Sequence, residues 1–200
     1  ANSAAIALAE KIAGSEPKFV DMMMAQLKEW GITDAELYTS SGLPNSELGE
    51  NIYPGSTEND ANTMSAQDVA IMCTHLLKDY PEILKITKKT ELPFDKGGQS
   101  ETTLANTNQM LPGFTTTRAG VDGLKTGSTS FYVDCFAATT VQNGFRIITV
   151  ILEAKDPSVD NSTPFTLTND LMNQVYASWT NADIISKDEQ LSDFARLPVR

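Results

Sequence analysis

Residues 125–127 read Lys-Thr-Gly, between Val-Asp-Gly at 121–123 and a run of strand formers that begins at Phe131. A lysine ammonium is a compact point charge that donates several hydrogen bonds. Beside it stand a hydroxyl and then a residue with no side chain. On extended backbone this trio suits an elongated, anionic ligand lying flat along a strand. Lys125 attracts a carboxylate and Thr126 donates a hydroxyl to it. Gly127 lets the ligand backbone approach closely. A peptide end can then add to the strand as one more short strand. Taken alone, a lysine at a strand start equally fits a solvated edge.

The other reactive side chains form no such set. His75 is the single histidine, and Cys73 and Cys135 are the two cysteines. They have no metal-ligand spacing, so a structural zinc site is not expected. His75 reads as a half-exposed structural residue. Cys73 falls in a helical pattern and Cys135 in a strand, which favours two buried free thiols over a disulfide. Glu153 and Asp156 read as loop charges, and Met22–Met24 as core and helix surface. The 200-residue chain carries a net charge of −11 with Lys and Arg scattered, which argues against nucleic-acid binding. No apolar run is long enough to span a membrane, and the first residues lack the basic start of a secretory leader.

The elements that must position Lys125 follow from periodicity. Ile6, Ala9, Ile12 and Ala13 share a helical face that Gly14 ends. Ser15 is placed to cap a second helix carrying Pro17, Phe19, Val20, Met23, Leu27 and Trp30, with Gly31 as terminator. Residues 39–63 are loop-like. Ser65 and Asp68 form a capping box for a third helix with Val69, Cys73, Leu76, Leu77 and Tyr80 on its core face. A short helix over Ile83–Ile86 precedes polar loop and short strands. Asp122-Gly123 reads as a turn, with a strand from Leu124. Phe131–Val141 and Phe145–Leu152 are strands joined through Asn143-Gly144, a hairpin signal. A last helix from Thr163-Pro164 repeats Leu167, Leu171, Val175 and Trp179. After Trp179 the composition turns polar, so residues 180–200 are expected to be a linker entering a further, truncated module. Helices, then an antiparallel hairpin, then a closing helix specify a layered α/β (α+β) domain.

Val-Asp-Gly-Leu-Lys-Thr-Gly-Ser-Thr resembles the Lys-Thr-Gly segment of serine D-alanyl-D-alanine carboxypeptidases, the low-molecular-weight penicillin-binding proteins. That group is marked by S-x-x-K, S-x-N and K-T-G. The likeness runs in order through residues 1–23, GITDAELYTSSGLPN, MSAQDVAIMCTHLL and FAATTVQNGFRIITVIL, and covers residues 1–179. It implies a β-lactamase/transpeptidase-like fold, with a mainly antiparallel sheet and helices packed on it, over a partial catalytic domain. It implies trimming of the terminal D-alanine from peptidoglycan stem peptides through an acyl-enzyme, acylation by β-lactams, and no cofactor. Asn2 matches the Asn of S-x-N, positioning substrate amide and a catalytic lysine. Lys125 is implied as catalytic, Lys125, Thr126, Gly127, Ser128 and Thr129 as substrate-binding, and the Ser128 backbone N–H as half of an oxyanion hole. Export to the outer face of the bacterial cytoplasmic membrane is implied too, with an anchor beyond residue 200.

The resemblance also sets a problem. The one Ser-x-x-Lys string, Ser15–Lys18, stands downstream of Asn2, whereas in the family that motif lies upstream. The expectation is therefore that Ser15 is a helix cap and that an N-terminal segment of the same protein supplies the nucleophile. Tyr132 and Val133 stand where many relatives carry Ala-Gly, and Thr107 where some carry Arg. Two alternatives stay open: a non-catalytic piece of the fold that binds a partner segment, and a serine β-lactamase.

Overall fold

The structure is a computed structural model that describes residues 2–129, 134–154 and 162–182. Helices α1 (Asn2–Ala13), α2 (Glu16–Glu29), α3 (Ala66–Asp79) and the single-turn α4 (Leu84–Thr87) come first. A ribbon of β1 (Glu91–Phe94) and β2 (Thr102–Ala105) follows. Then come β3 (Val121–Gly127), β4 (Cys135–Gln142), β5 (Phe145–Ile151) and a closing helix α5 (Thr163–Ser178). The main sheet is antiparallel in the order β3-β4-β5. The expected mixed architecture is the observed one. The linker expected over 180–200 falls, from residue 183 on, outside the described residues, as do Tyr132 and Val133.

The core lies between the sheet and α5, where Met110, Val121, Phe136, Ala138, Phe165, Met172 and Tyr176 are buried together. Phe136 and Phe165 meet edge-on at 4.9 Å. The Tyr176 hydroxyl donates to the carbonyls of Thr140 and Phe145, both at 3.2 Å, so its polar end is satisfied inside the core. A second cluster of Leu27, Ile32 and Ala35 joins α2 to α3 through Trp30, Met64, Ile71 and Met72. His75 stacks on Trp30 at 4.6 Å, the structural role expected of it.

Local signals worked where two or three adjacent residues decide the outcome. The Ser65 hydroxyl accepts from the Asp68 N–H while the Asp68 side chain accepts from the Ser65 N–H, which completes the capping box. Asn143 and Gly144 take φ of 53° and 80°, as a tight hairpin turn requires.

Several expectations need correction. Asp122-Gly123 is not a turn: both residues lie inside β3, with a bulge between Val121 and Gly123. The turn comes three residues earlier, at Ala119-Gly120, where Gly120 has a φ of +87°. Gly123 is there for closeness, because a Cβ on it would stand 2.9 Å from Thr87 Oγ1 and 3.3 Å from Leu84 Cδ2. The buried stripe of α5 is Phe165, Thr168, Met172 and Tyr176, while Leu167 is 44% exposed and Trp179 70%. A strict i+4 ladder drifts about 40° per step around an α-helix, whereas mixed steps of three and four stay in phase. On α1, Ala9 is buried but Ile12 is exposed, and Tyr80 projects from the end of α3. Cys135 is only half-buried, although both cysteines are free as expected. Burial pushes the Cys73 thiol up to about 11.

Candidate active site

A groove of about 790 Å³ runs along the open edge of β3. Among the described strands β3 pairs only with β4, so its outer edge is free. Lys125, Thr126, Gly127, Ser128 and Thr129 line the groove from this edge, and Asn2, at the start of α1, lines it too. Every described residue that the sequence singled out for the site therefore faces one space. Ser15 and Lys18 are not among its lining residues.

Lys125 is exposed by residue area, yet its ammonium turns back on the strand and donates to the Thr126 carbonyl oxygen. Desolvation of that end lowers its pKa from the usual lysine value. Thr126 is half-buried, and its hydroxyl lies 2.5 Å from the hydroxyl of Thr107. Gly127 sits opposite Cys135 in the register, and a Cβ there would meet Cys135 Cβ at an ordinary 3.7 Å. The protein itself thus has room for a side chain at 127; the missing volume opens toward the groove.

The facing wall is Ser41-Gly42-Leu43. This turn is held from behind by polar groups, of which Thr39 and Glu16 are buried. Thr39 Oγ1 accepts from the Gly42 N–H (3.0 Å) and donates to the Leu43 carbonyl (3.1 Å). Asn62 Oδ1 accepts from the N–H groups of Tyr38 (2.7 Å) and Thr39 (3.0 Å), and Asn62 Nδ2 donates back to the Thr39 carbonyl (2.9 Å). Glu16, buried in the first turn of α2, takes the Ser40 N–H (2.9 Å) and hydroxyl (2.6 Å) on one carboxylate oxygen. Ser15 occupies the N-cap position with extended backbone, but its hydroxyl makes no capping bond. The expected cap is thus only positional; the working group of that sequence is the neighbouring glutamate. Sequence reasoning missed Glu16 and Asn62 because their partners lie 23 or 24 residues away along the chain, and it missed Thr39, whose hydroxyl bonds lie inside a loop without periodicity. Cys135 was read as buried but borders the groove, with Asp134, Gln109 and Phe114.

The family model described as D-alanyl-D-alanine carboxypeptidase, peptidase S11, matches residues 1–156. The chain belongs to this family. It is 33% identical over 161 residues to the D-alanyl-D-alanine carboxypeptidase DacF of Bacillus subtilis, covering 80% of this chain and 36% of that protein. It is 33% identical over 153 residues to DacA of Haemophilus influenzae, covering 76% of this chain and 33% of that one. Among solved structures, a peptidoglycan synthesis regulatory factor (PBP3) from Streptococcus pneumoniae aligns at TM-score 0.89 and 46% identity, over 97% of this chain and 53% of that chain. Penicillin-binding protein D2 from Listeria monocytogenes, in its cefotaxime-bound form, aligns at TM-score 0.69 and 27% identity, over 86% and 60%. This S11 chain therefore spans about a third of the curated relatives it matches, at 36% and 33%. Its fold is the one these penicillin-binding proteins share.

Proposed function

We propose that the groove is the substrate-holding half of a serine D-alanyl-D-alanine carboxypeptidase site, and that β-lactams enter it as mimics of the terminal dipeptide. The observation that supports this most is the free Lys-Thr-Gly edge of β3 sharing one groove with Asn2, in a chain of the S11 family. The substrate's last residues lie along β3. Its terminal carboxylate faces the Lys125 ammonium and the Thr126 hydroxyl, and its backbone passes over Gly127. Asn2 offers an amide to the penultimate peptide group. A serine hydroxyl attacks the carbonyl between the two terminal D-alanines, and the Ser128 N–H stabilises the oxyanion. The C–N bond breaks, D-alanine departs with the proton on its amine, and water cleaves the resulting ester to regenerate the hydroxyl.

The attacking serine comes from an N-terminal segment of the same protein. Supporting this, the one Ser-x-x-Lys string stands outside the groove lining. The reading places the protein on the outer face of the cytoplasmic membrane, where peptidoglycan is accessible; protease shaving of whole cells tests that. The same observation keeps a second reading in view, a domain that binds peptide ends without cleaving them.

Fluorescent penicillin decides between them. The intact product of the native gene is expected to be labelled at a serine outside residues 1–200, while this chain alone is not. Labelling of the isolated chain at Ser15 overturns the assignment. Absence of label on the intact protein, with retained binding of a D-Ala-D-Ala peptide, supports the non-cleaving reading.

A further inference from the structure

We infer that Thr107 is a positioning residue for the ligand carboxylate, acting through Thr126. The inference rests on the reading of the groove proposed above. Its basis is the 2.5 Å contact between the two hydroxyl oxygens, which lie 19 residues apart in the chain. A hydroxyl has one proton and two acceptor lone pairs. In a touching pair, one hydroxyl donates inward and the other keeps its proton for an outside acceptor. When an anion sits in the groove, the stable arrangement has Thr107 donating to Thr126 and Thr126 donating to the anion. A chain of donors ending on a charge strengthens each link.

The backbone holds Thr107 in place for this. Asn106 on one side donates from Nδ2 to the carbonyls of Thr87 (3.0 Å) and Lys89 (2.9 Å). Asn108 on the other side is buried; its N–H donates to Asn106 Oδ1 and its own Oδ1 accepts from the Met110 N–H, both at 3.0 Å. Two asparagines with side chains tied to backbone thus bracket the threonine, which is itself exposed and lines the groove. Such bracketing has no evident purpose for a surface threonine in a loop. It makes sense if the hydroxyl must meet Thr126 at a fixed point. Thr107 is neutral, and Lys125 is the one cation among the described groove residues. Carboxylate recognition then depends on the aim of Thr126 more than on net charge.

The test uses the intact gene product and Thr107→Val, which keeps the shape and removes the hydroxyl, with Thr107→Ser as the rescue. The probes are a peptide ending in D-Ala-D-Ala with a free carboxylate and the same peptide with a C-terminal amide. The expectation for Thr107→Val is a rise in KM for the carboxylate peptide of roughly 5-fold, the worth of one neutral hydrogen bond in the donor chain. The amide peptide should be nearly unaffected, kcat and Tm should hold, and Thr107→Ser should restore the parent KM. An equal effect on both peptides, or none on either, overturns the inference while leaving the proposed function intact. An unaltered protein that neither cleaves nor binds the carboxylate peptide sinks the proposed function and this inference with it.

Discussion

Lys125 is the one cation among the described residues that line the groove. Replacing it with Gln removes the cation but keeps a polar end of similar reach. The expected result is a loss of kcat/KM of roughly 100-fold in the intact protein, comparable to deleting one preorganised electrostatic group. Tm should not fall, because the ammonium is desolvated in the folded state and its pKa is already lowered. The same lowering fixes a pH dependence. The charged form is lost as pH rises through a pKa below that of free lysine, so KM should climb at a lower alkaline pH than a solvated lysine would give. Gly127→Ala separates ligand from protein: its Cβ meets only Cys135 at 3.7 Å, so the fold should be retained. Thermal melting should change little while acylation by benzylpenicillin slows at least roughly 10-fold, from crowding where the ligand backbone passes. An unchanged acylation rate would show that the ligand does not lie against β3. Lys125, Thr126 and Gly127 were legible in the sequence because they are contiguous and their chemistry is carried by side-chain type alone. Thr107 was visible only as a departure, since its partner Thr126 is brought to it by the fold.

At the level of elements, one wall of the groove, the 39–43 turn, is held to α2 by polar groups. Glu16 ties the first turn of α2 to the turn that forms the facing wall. Glu16→Ala leaves the Ser40 N–H and hydroxyl without that acceptor and should cost about 1–3 kcal/mol, as for other stranded polar groups. Glu16→Gln keeps an acceptor oxygen and should recover most of it. Hydrogen exchange at Ser40 and Gly42 reads the difference directly; equal protection in both variants would contradict the tie. On the other side, α4 packs so closely on β3 that only glycine fits at 123. Gly123→Ala would press on Thr87, whose hydroxyl donates to the Asp122 carbonyl at 2.7 Å. A loss of about 1–3 kcal/mol is expected by chemical denaturation, typical of overpacking; wild-type stability would mean the strand and α4 can part without cost. The sequence suggested a turn here because Asp-Gly is usually one, and no local pattern signals a helix pressed against a strand. The α5 stripe shows the same limit from another side: leucines at a regular interval outlined a face, but the residues that fit the sheet were Phe165, Met172 and Tyr176.

Across the whole molecule, the order of elements and the antiparallel sheet were legible because each rests on short-range signals that agree with one another: glycine stops, a capping box, an Asn-Gly hairpin. What was not legible is how distant pieces close around a space. A net charge of −11 makes a groove with one lysine at its edge a local exception in an acidic chain. That contrast favours recognition of a small anionic end over binding of an extended polyanion, which the surrounding field would repel. The account therefore comes down to where a ligand carboxylate rests. A crystal structure of the intact protein acylated by benzylpenicillin measures this directly. The account predicts the ligand carboxylate within hydrogen-bonding distance of Thr126 Oγ1 and facing Lys125 Nζ, with Thr107 Oγ1 still behind Thr126. A ligand bound away from β3, or one whose carboxylate points from the groove into solvent, would contradict it.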